Sequence, residues 1–489
     1  MPPAARPLGP DMAAGRGLLL LLARILALAA SAQTVQAHDH HGANLNFDTG
    51  EPIGGALKAH ILLMSVAFGV LFPVGLVLGL RRHKWHVPVQ ATGTALAVAG
   101  FVLGHVRGHG GRAFPDNAHS KFSWFMLWLL AAQAGAGVYL KLHTERRFKD
   151  RARPYIRIAH RYMAPLMVVA TYAQVLMGVV AWLGFCFGDF YGQCLAHLIM
   201  GSSFLAYGIW LLLLLRLAGP WLASFGRSPE FYDSAMIMVW GLFNTFTEHG
   251  FVEEAHGWSH KDLQHTSLGV IWFCGGLLST YMLRKADAAE RSFFPAIILM
   301  VTGCAMGSHE QDTQFSTRVH FVFGLSLVLA GLARCIEILL ITTGLIGADR
   351  KEPNPFQYLS VFMLCHSGVM FMSANRENVS AVDQIGVDIG TFSLGYMSVT
   401  FLLFLYAYFM MQLFAELGKR KKKHAGRGAA GDGPEYRTLS QMSQAGDEDA
   451  ADSNPHVLFD AAADEERDAA APGSPRPSDD IELSPMRLD

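Results

Sequence analysis

The chain has 489 residues, 51% hydrophobic and 16% charged, and its 39 Lys and Arg nearly cancel 40 Asp and Glu. With no basic stripe interleaved with aromatics, nucleic acid is excluded as a natural partner. The apolar residues lie in blocks of the length that a hydrocarbon core of about 30 Å demands, about 20 residues per helix, so the chain reads as a membrane protein.

Residues 1–37 have the layout of a secretory signal peptide: Arg6 and Arg16, an apolar core from Leu18 to Leu28, and a small-residue cleavage site at Val35-Gln36-Ala37. Cleavage frees His38 at the head of a histidine-rich lumenal segment, 38–56. His40 is then third from a free amine. Amine, two amides and imidazole form the tetragonal nitrogen set that Cu(II) favours, which makes His38 and His40 candidate metal ligands.

Eleven apolar runs follow, at 57–80, 87–106, 119–142, 155–183, 192–219, 231–248, 263–284, 292–307, 319–345, 357–374 and 390–417. They predict an all-α multi-pass membrane protein with about 11 transmembrane helices. A break containing Gly219-Pro220 and Ser228-Pro229 divides them into two bundles, 57–219 and 231–418. The loops 81–86, 143–154, 284–291 and 346–356 carry most of the Lys and Arg between spans, which puts them in the cytosol and the mature amino terminus outside or in the lumen. Asn378-Val379-Ser380 then falls on the lumenal side as a candidate glycosylation site. Lys419-Arg420-Lys421-Lys422-Lys423 sits against the inner leaflet. Beyond it, within 419–489, composition turns to Ala, Gly, Asp, Glu, Ser and Pro and predicts a disordered cytosolic tail. The expected location is a membrane of the secretory pathway, vacuole or plasma membrane.

Six cysteines are too few for a disulfide scaffold. Cys186 and Cys194 share one short lumenal loop, and in an oxidising lumen they are expected to pair.

Four histidines carry the most information. His60 and His119 open helices that descend from the lumen, whereas His86 and His160 open helices that rise from the cytosol. Bis-imidazole ligation of haem takes two histidines from facing helices at one depth. His86 and His105 bound one helix and lie roughly 28 Å apart at 1.5 Å per residue, so His86 belongs to the cytosolic layer. His60 with His119 and His86 with His160 thus form two candidate haem b sites at opposite depths.

The segment Lys58-Ala59-His60 through Gly75 resembles the opening transmembrane helix of cytochrome b-561 proteins, especially the DOMON-linked branch. His86 with Gln90 resembles their next helix, His119 with Gln133 the third, and Arg157, His160 and Gly178 the fourth. The resemblance implies two haems, electron transfer from cytosol to lumen, and a cytosolic donor such as ascorbate. Lys84, Arg82, Arg161 and Tyr162 lie where such an anion would dock, although positive-inside sidedness alone also places cations there.

The second bundle gathers His249, His256, His260, His265, His309 and His320 with several carboxylates at its lumenal ends. Imidazole and carboxylate together suit Zn, Fe or Cu(II). The set reads as a metal or proton site, as a solvated histidine-rich face, or as a third haem site. The stretches Trp240 to Gly250, Trp258 to His265, and His309-Glu310-Gln311 with His320 resemble the C-terminal region of the fungal Ytp-type (yeast putative transmembrane protein) family. That family has the same two-bundle layout. The expectation is a di-haem membrane electron carrier with a lumenal ferric or cupric acceptor. The alternatives are a metal or proton transporter and a non-catalytic membrane or trafficking protein.

Overall fold

The computed structural model of the protein describes residues 54–105, 114, 116–142, 152–186, 191–250, 260–287, 290–308, 311–345 and 353–429. The expected signal peptide, the candidate ligands His38, His40, His256 and His309, and the tail beyond residue 429 lie outside the described residues, while residues 419–429, expected within that tail, instead continue the last helix. His249 and His260 lie at helix ends whose side chains are also outside that description.

Among the described residues the chain is helical throughout, with no strand. The helices are α1 (Gly55–Leu80), α2 (His86–His105), α3 (Ala118–Leu142), α4 (Arg153–Leu183), α5 (Tyr191–Ala218), α6 (Pro229–Gly250), α7 (His260–Leu283), α8 (Phe294–Gly307), α9 (Gln314–Thr342), α10 (Pro355–Ser373), α11 (Arg376–Gln384) and α12 (Ile389–Ala429). Nine of these contain a stretch long and apolar enough to cross a membrane. The two other expected spans are α6, which carries Glu230 and Asp233 in its first turns, and α8, whose 14 residues are short for a full crossing. Helix is the conformation a lone segment adopts in lipid, because only there are its backbone donors and acceptors satisfied within itself. Large apolar side chains accordingly face outward, with Trp128 72% and Leu394 70% exposed. The protein is an integral membrane protein.

The first four helices form two hairpins, α1 on α2 and α3 on α4, whose backbones approach closely within each pair and far less between pairs. A middle layer joins them: Ala67, Ala97, Met126, Leu129, Leu130, Met167 and Ala170 are buried there against Phe68, Phe72 and Phe122. A π-helical turn at Ala67–Leu71 precedes Pro73 in α1. An inserted turn of this kind absorbs the missing proline donor.

The fifth helix does not join them. The sequence reading groups residues 192–219 with the first bundle, but α5 packs along α10, the most buried of the spans. The reason is local: a Cβ on Gly201 would lie 2.6 Å from the carbonyl oxygen of Gly368, so the two backbones touch where neither has a side chain. Gly303 and Gly324 bring α8 onto α9 in the same way. In lipid, helix association relies on such close packing in place of a hydrophobic drive. The second group therefore comprises α5 to α12, around a core of Val319, Phe323, Leu327 and Met370. Arg81 ties the first hairpin to α12 by donating to the Phe414 carbonyl at 2.9 Å and covering its ring.

One end of the second group contains a buried charged network. Arg334 on α9 pairs with Glu337 and, at 2.7 Å, with Glu230 on α6. Tyr207 on α5 donates to Asp233 at 2.5 Å, and Gln357 on α10 donates to Glu337 at 2.8 Å. Four helices are held by it. The Arg334–Glu337 pair lies within one helix, whereas the α6 carboxylates reach it from another.

At the other end, Cys186 and Cys194 are joined in a disulfide. The Cys186 backbone N–H donates to Glu377 of α11 at 2.6 Å, which fastens this loop to the turn after α10. Asn378 differs from expectation. It is only 8% exposed, and its Nδ2 donates to the Ser373 carbonyl and to the Tyr396 hydroxyl at 2.7 and 3.1 Å. A glycan needs that nitrogen at the surface, so the folded chain does not present Asn378 as an acceptor.

Candidate functional site

The four helix-opening histidines sit in one recurring local arrangement. Nδ1 of His60 is 2.7 Å from the Gly100 carbonyl of α2, and a Cβ on Gly104, four residues on, would lie 2.6 Å from that ring. Nδ1 of His86 is 2.7 Å from the Gly75 carbonyl of α1, and a Cβ on Gly79 would lie 2.7 Å from its ring. Nδ1 of His119 is 3.0 Å from the Gln174 carbonyl of α4, with Gly178 in the same role. His160 faces Gly137 of α3, four residues after Gln133. A carbonyl followed four residues later by a glycine lies on one helix face, so each partner helix offers an acceptor and a recess together.

A carbonyl only accepts, so these contacts put the proton of His60, His86 and His119 on Nδ1. Nε2 is left as the lone-pair nitrogen, the arrangement in which an imidazole ligates a metal while its other nitrogen is held. At His160 the contact is looser: its Nδ1 has no partner within hydrogen-bond geometry, while the Gln133 backbone still lies close enough to act on the ring. Two glutamines brace the second hairpin. Gln174 donates to the His119 carbonyl at 3.0 Å, and Gln133 donates to the His160 carbonyl at 3.1 Å.

The histidines also pair by level. The rings of His60 and His119 have centroids 6.3 Å apart and planes at 86°. A metal held linearly between two imidazole nitrogens at about 2.0–2.1 Å each would separate the ring centres by about 6.3 Å. His86 lies within electrostatic reach of His160. All four rings are half-buried, and the buried middle layer stands between the two levels. The glycine recesses and the Nδ1 contacts set imidazoles from the two hairpins against each other at each level, so the residues present fit haem. His105 does not compete for this place: its Nδ1 contacts the Phe101 carbonyl of its own helix and its ring packs on Phe101 and Trp124.

Among the candidate metal ligands of the second group, the described side chains are those of His265 and His320. His320 is buried at 3% exposure in α9, 6.0 Å from the ring of His197 on α5, while His265 on α7 is half-buried and within electrostatic reach of His197. His197 stands outside the candidate sets drawn from the sequence. Its one signal was position, since His197, His265 and His320 each fall about two turns into a helix that starts at the same end. The four recess glycines had a stronger one: Gly75-x3-Gly79, Gly100-x3-Gly104, Gln133-x3-Gly137 and Gln174-x3-Gly178 share a spacing.

Residues 170–415 match the family model described as Protein YTP1-like, C-terminal, and residues 40–143 match a domain of unknown function, DUF2427. The chain is 35% identical to Protein YTP1 of Saccharomyces cerevisiae over 304 residues, 62% of this chain and 64% of that one. It is 22% identical over 449 residues to an uncharacterized membrane protein of Schizosaccharomyces pombe, covering 67% of this chain and 87% of that protein. A second S. cerevisiae protein, also an uncharacterized membrane protein, is 30% identical over 205 residues, 37% of this chain and 32% of its own length. No solved structure matches the chain. With the C-terminal model spanning α5 to α12, which pack together as one group, the chain belongs to the YTP1-like family of membrane proteins.

Proposed function

We propose that the protein is a di-haem b-type electron carrier that moves electrons across its membrane, from a cytosolic donor to a lumenal or external acceptor. The observation that carries this reading is the four-fold repetition of a histidine seated on a glycine, with His60 and His119 at one level and His86 and His160 at the other. Bound haem would supply a one-electron Fe(III)/Fe(II) couple at each level. The chain's own contribution is orientation: backbone carbonyls of Gly75, Gly100 and Gln174 hold the imidazoles in one tautomer. The middle layer of Met126, Leu129, Leu130 and Met167 excludes water between the levels. Arg82, Lys84 and Arg161 at the His86 level suit an anionic donor such as ascorbate. The acceptor fits a ferric or cupric ion at the opposite face, where α6 ends with His249 and α7 begins with His260 and His265.

Proteoliposomes separate this reading from a scaffold or transport role. With ascorbate sealed on the side of the His86 pair and ferric chelate on the other, the reading expects ferrous iron to appear outside with no transfer of iron inward. Iron entering the vesicle without reduction would support a transporter instead.

A further inference from the structure

The recess that seats the helix-opening histidines, a backbone carbonyl followed four residues later by a glycine, recurs on α12 of the second group. There the carbonyl is that of Phe414, the glycine is Gly418, and the occupant is Arg81 at the end of α1. Nε of Arg81 donates to the Phe414 carbonyl at 2.9 Å, and its guanidinium lies 3.6 Å from the centre of the Phe414 ring. A Cβ on Gly418 would lie 2.8 Å from Cζ of Arg81. Hydrogen bond, ring and recess thus fix one planar group in both position and orientation. Arginine suits this place as lysine does not, because its fork is rigid and stacks on aromatic faces.

The position matters because of what α1 carries just before it. Gly75 and Gly79 supply the carbonyl and the recess that hold His86, and Arg81 is two residues beyond Gly79. The chain from Arg81 to His86 has little slack. The N–H groups of Arg81, Arg82 and His83 donate to the carbonyls of Val77, Gly79 and Leu78, and that of His86 donates to the His83 carbonyl. Arg82 turns the chain at a left-handed φ of 51°. His86 is therefore tied to Arg81 twice, through its seat on α1 and through the turn that leads into α2. His60 belongs to the other half of α1, on the far side of the π-helical turn at Ala67–Leu71. The half that α12 packs on is the one with Gly75 and Gly79.

We infer that Arg81 is a positioning residue for the His86–His160 level: through it, α12 holds the α1 seat of His86 and sets the geometry of that imidazole. The inference rests on the di-haem reading and adds to it a route by which the second group adjusts one redox level and not the other. The Nδ1 bond of a ligating histidine and the orientation of its ring tune the ligand, and with it the reduction potential of the iron it holds. Any shift of the Gly75 carbonyl against His86 changes both.

The test is a redox titration of the full chain purified in detergent, read on the two b-type components, together with hydrogen exchange of the turn 81–86. Gly418→Ala is the informative variant. Its new methyl meets the far end of a flexible side chain, so it displaces the guanidinium while α12 gains a better helix former. Arg81→Lys keeps the charge and loses the planar fork. Both are expected to shift the midpoint potential of the component that His86→Ala removes, and to leave the component that His60→Ala removes at its wild-type value. Both should also speed exchange of the 81–86 amides several-fold. Gly418→Ala should add nothing in the Arg81→Lys background, because the two substitutions break the same contact. Equal shifts in both components, an unshifted His86 component or additive effects in the double variant overturn the inference. A wild-type potential in Arg81→Lys overturns it too, by making charge the cause. A chain that binds no haem defeats the di-haem reading instead. Exchange of the turn, measured without haem, then decides whether Arg81 holds the His86 seat, and an unchanged rate in Gly418→Ala overturns it.

Discussion

His60 and Gly104 interlock across the first hairpin: the imidazole occupies the space that a side chain at residue 104 would need, 2.6 Å from a Cβ there. The same contact holds His60 Nδ1 to the Gly100 carbonyl at 2.7 Å, so space and hydrogen bond are set by one turn of α2. A histidine merely reaching for interfacial water needs neither.

Filling the recess should therefore remove one redox centre at a time. Gly104→Leu is expected to abolish the spectral component of the His60 level and Gly79→Leu that of the His86 level. Gly135→Ala, at a helical glycine with nothing within 4 Å, should leave both intact. Alanine is favoured over glycine in a helix by about 1 kcal/mol, so this control should not lose stability. Equal loss from all three variants would indicate general misfolding and remove the support the recesses lend to haem binding.

The ligands themselves should divide in the same way. His60→Ala and His119→Ala are expected to bleach one b-type component, and His86→Ala and His160→Ala the other, as read by redox difference spectra of membranes. Each substitution leaves a single axial imidazole, so occupancy should fall at least several-fold. If His60→Ala and His86→Ala remove the same component, the assignment of levels is wrong.

Much of this was legible because hydropathy and side-chain type are enough to find spans and histidines at their ends. Apolar runs marked all the long helices described, and the pairing of His60 with His119 and of His86 with His160 by level followed from counting spans. What remained hidden depends on which helix faces which. Grouping α5 with the first bundle follows from chain order, whereas its contact with α10 is set by Gly201 meeting Gly368, 167 positions apart. His197 and His320 are likewise remote in sequence, and no local pattern announces them. Asn378 matched an acceptor motif, but its amide is spent inside the fold on Ser373 and Tyr396.

The charged network of the second group should be costly to break. Glu230 is 1% exposed and meets Arg334 at 2.7 Å. Removing one partner strands the other charge, a loss of about 3–5 kcal/mol. Arg334→Leu is thus expected to lower the thermal midpoint of the detergent-solubilised chain by several degrees or more. Glu230→Gln, which keeps a hydrogen-bonding group, should cost less. The reverse order of the two variants would contradict the network as drawn.

The Cys186–Cys194 bridge should be present and stabilising. Non-reducing peptide mapping is expected to recover the two cysteines joined. Cys194→Ala should destabilise the chain by about 2–4 kcal/mol, the usual contribution of a native disulfide. Because Cys186 N–H is bonded to Glu377, Glu377→Ala should loosen the same loop, seen as faster hydrogen exchange there. Free thiols at Cys186 and Cys194 in the protein purified without reductant would contradict the pairing.

The most direct measurement of the central claim is the absorption spectrum and haem content of the full chain purified from haem-replete cells. Two haem-binding levels predict a reducible b-type spectrum with close to two haems per chain, resolved into two components in a redox titration. A folded, colourless protein would contradict the account outright.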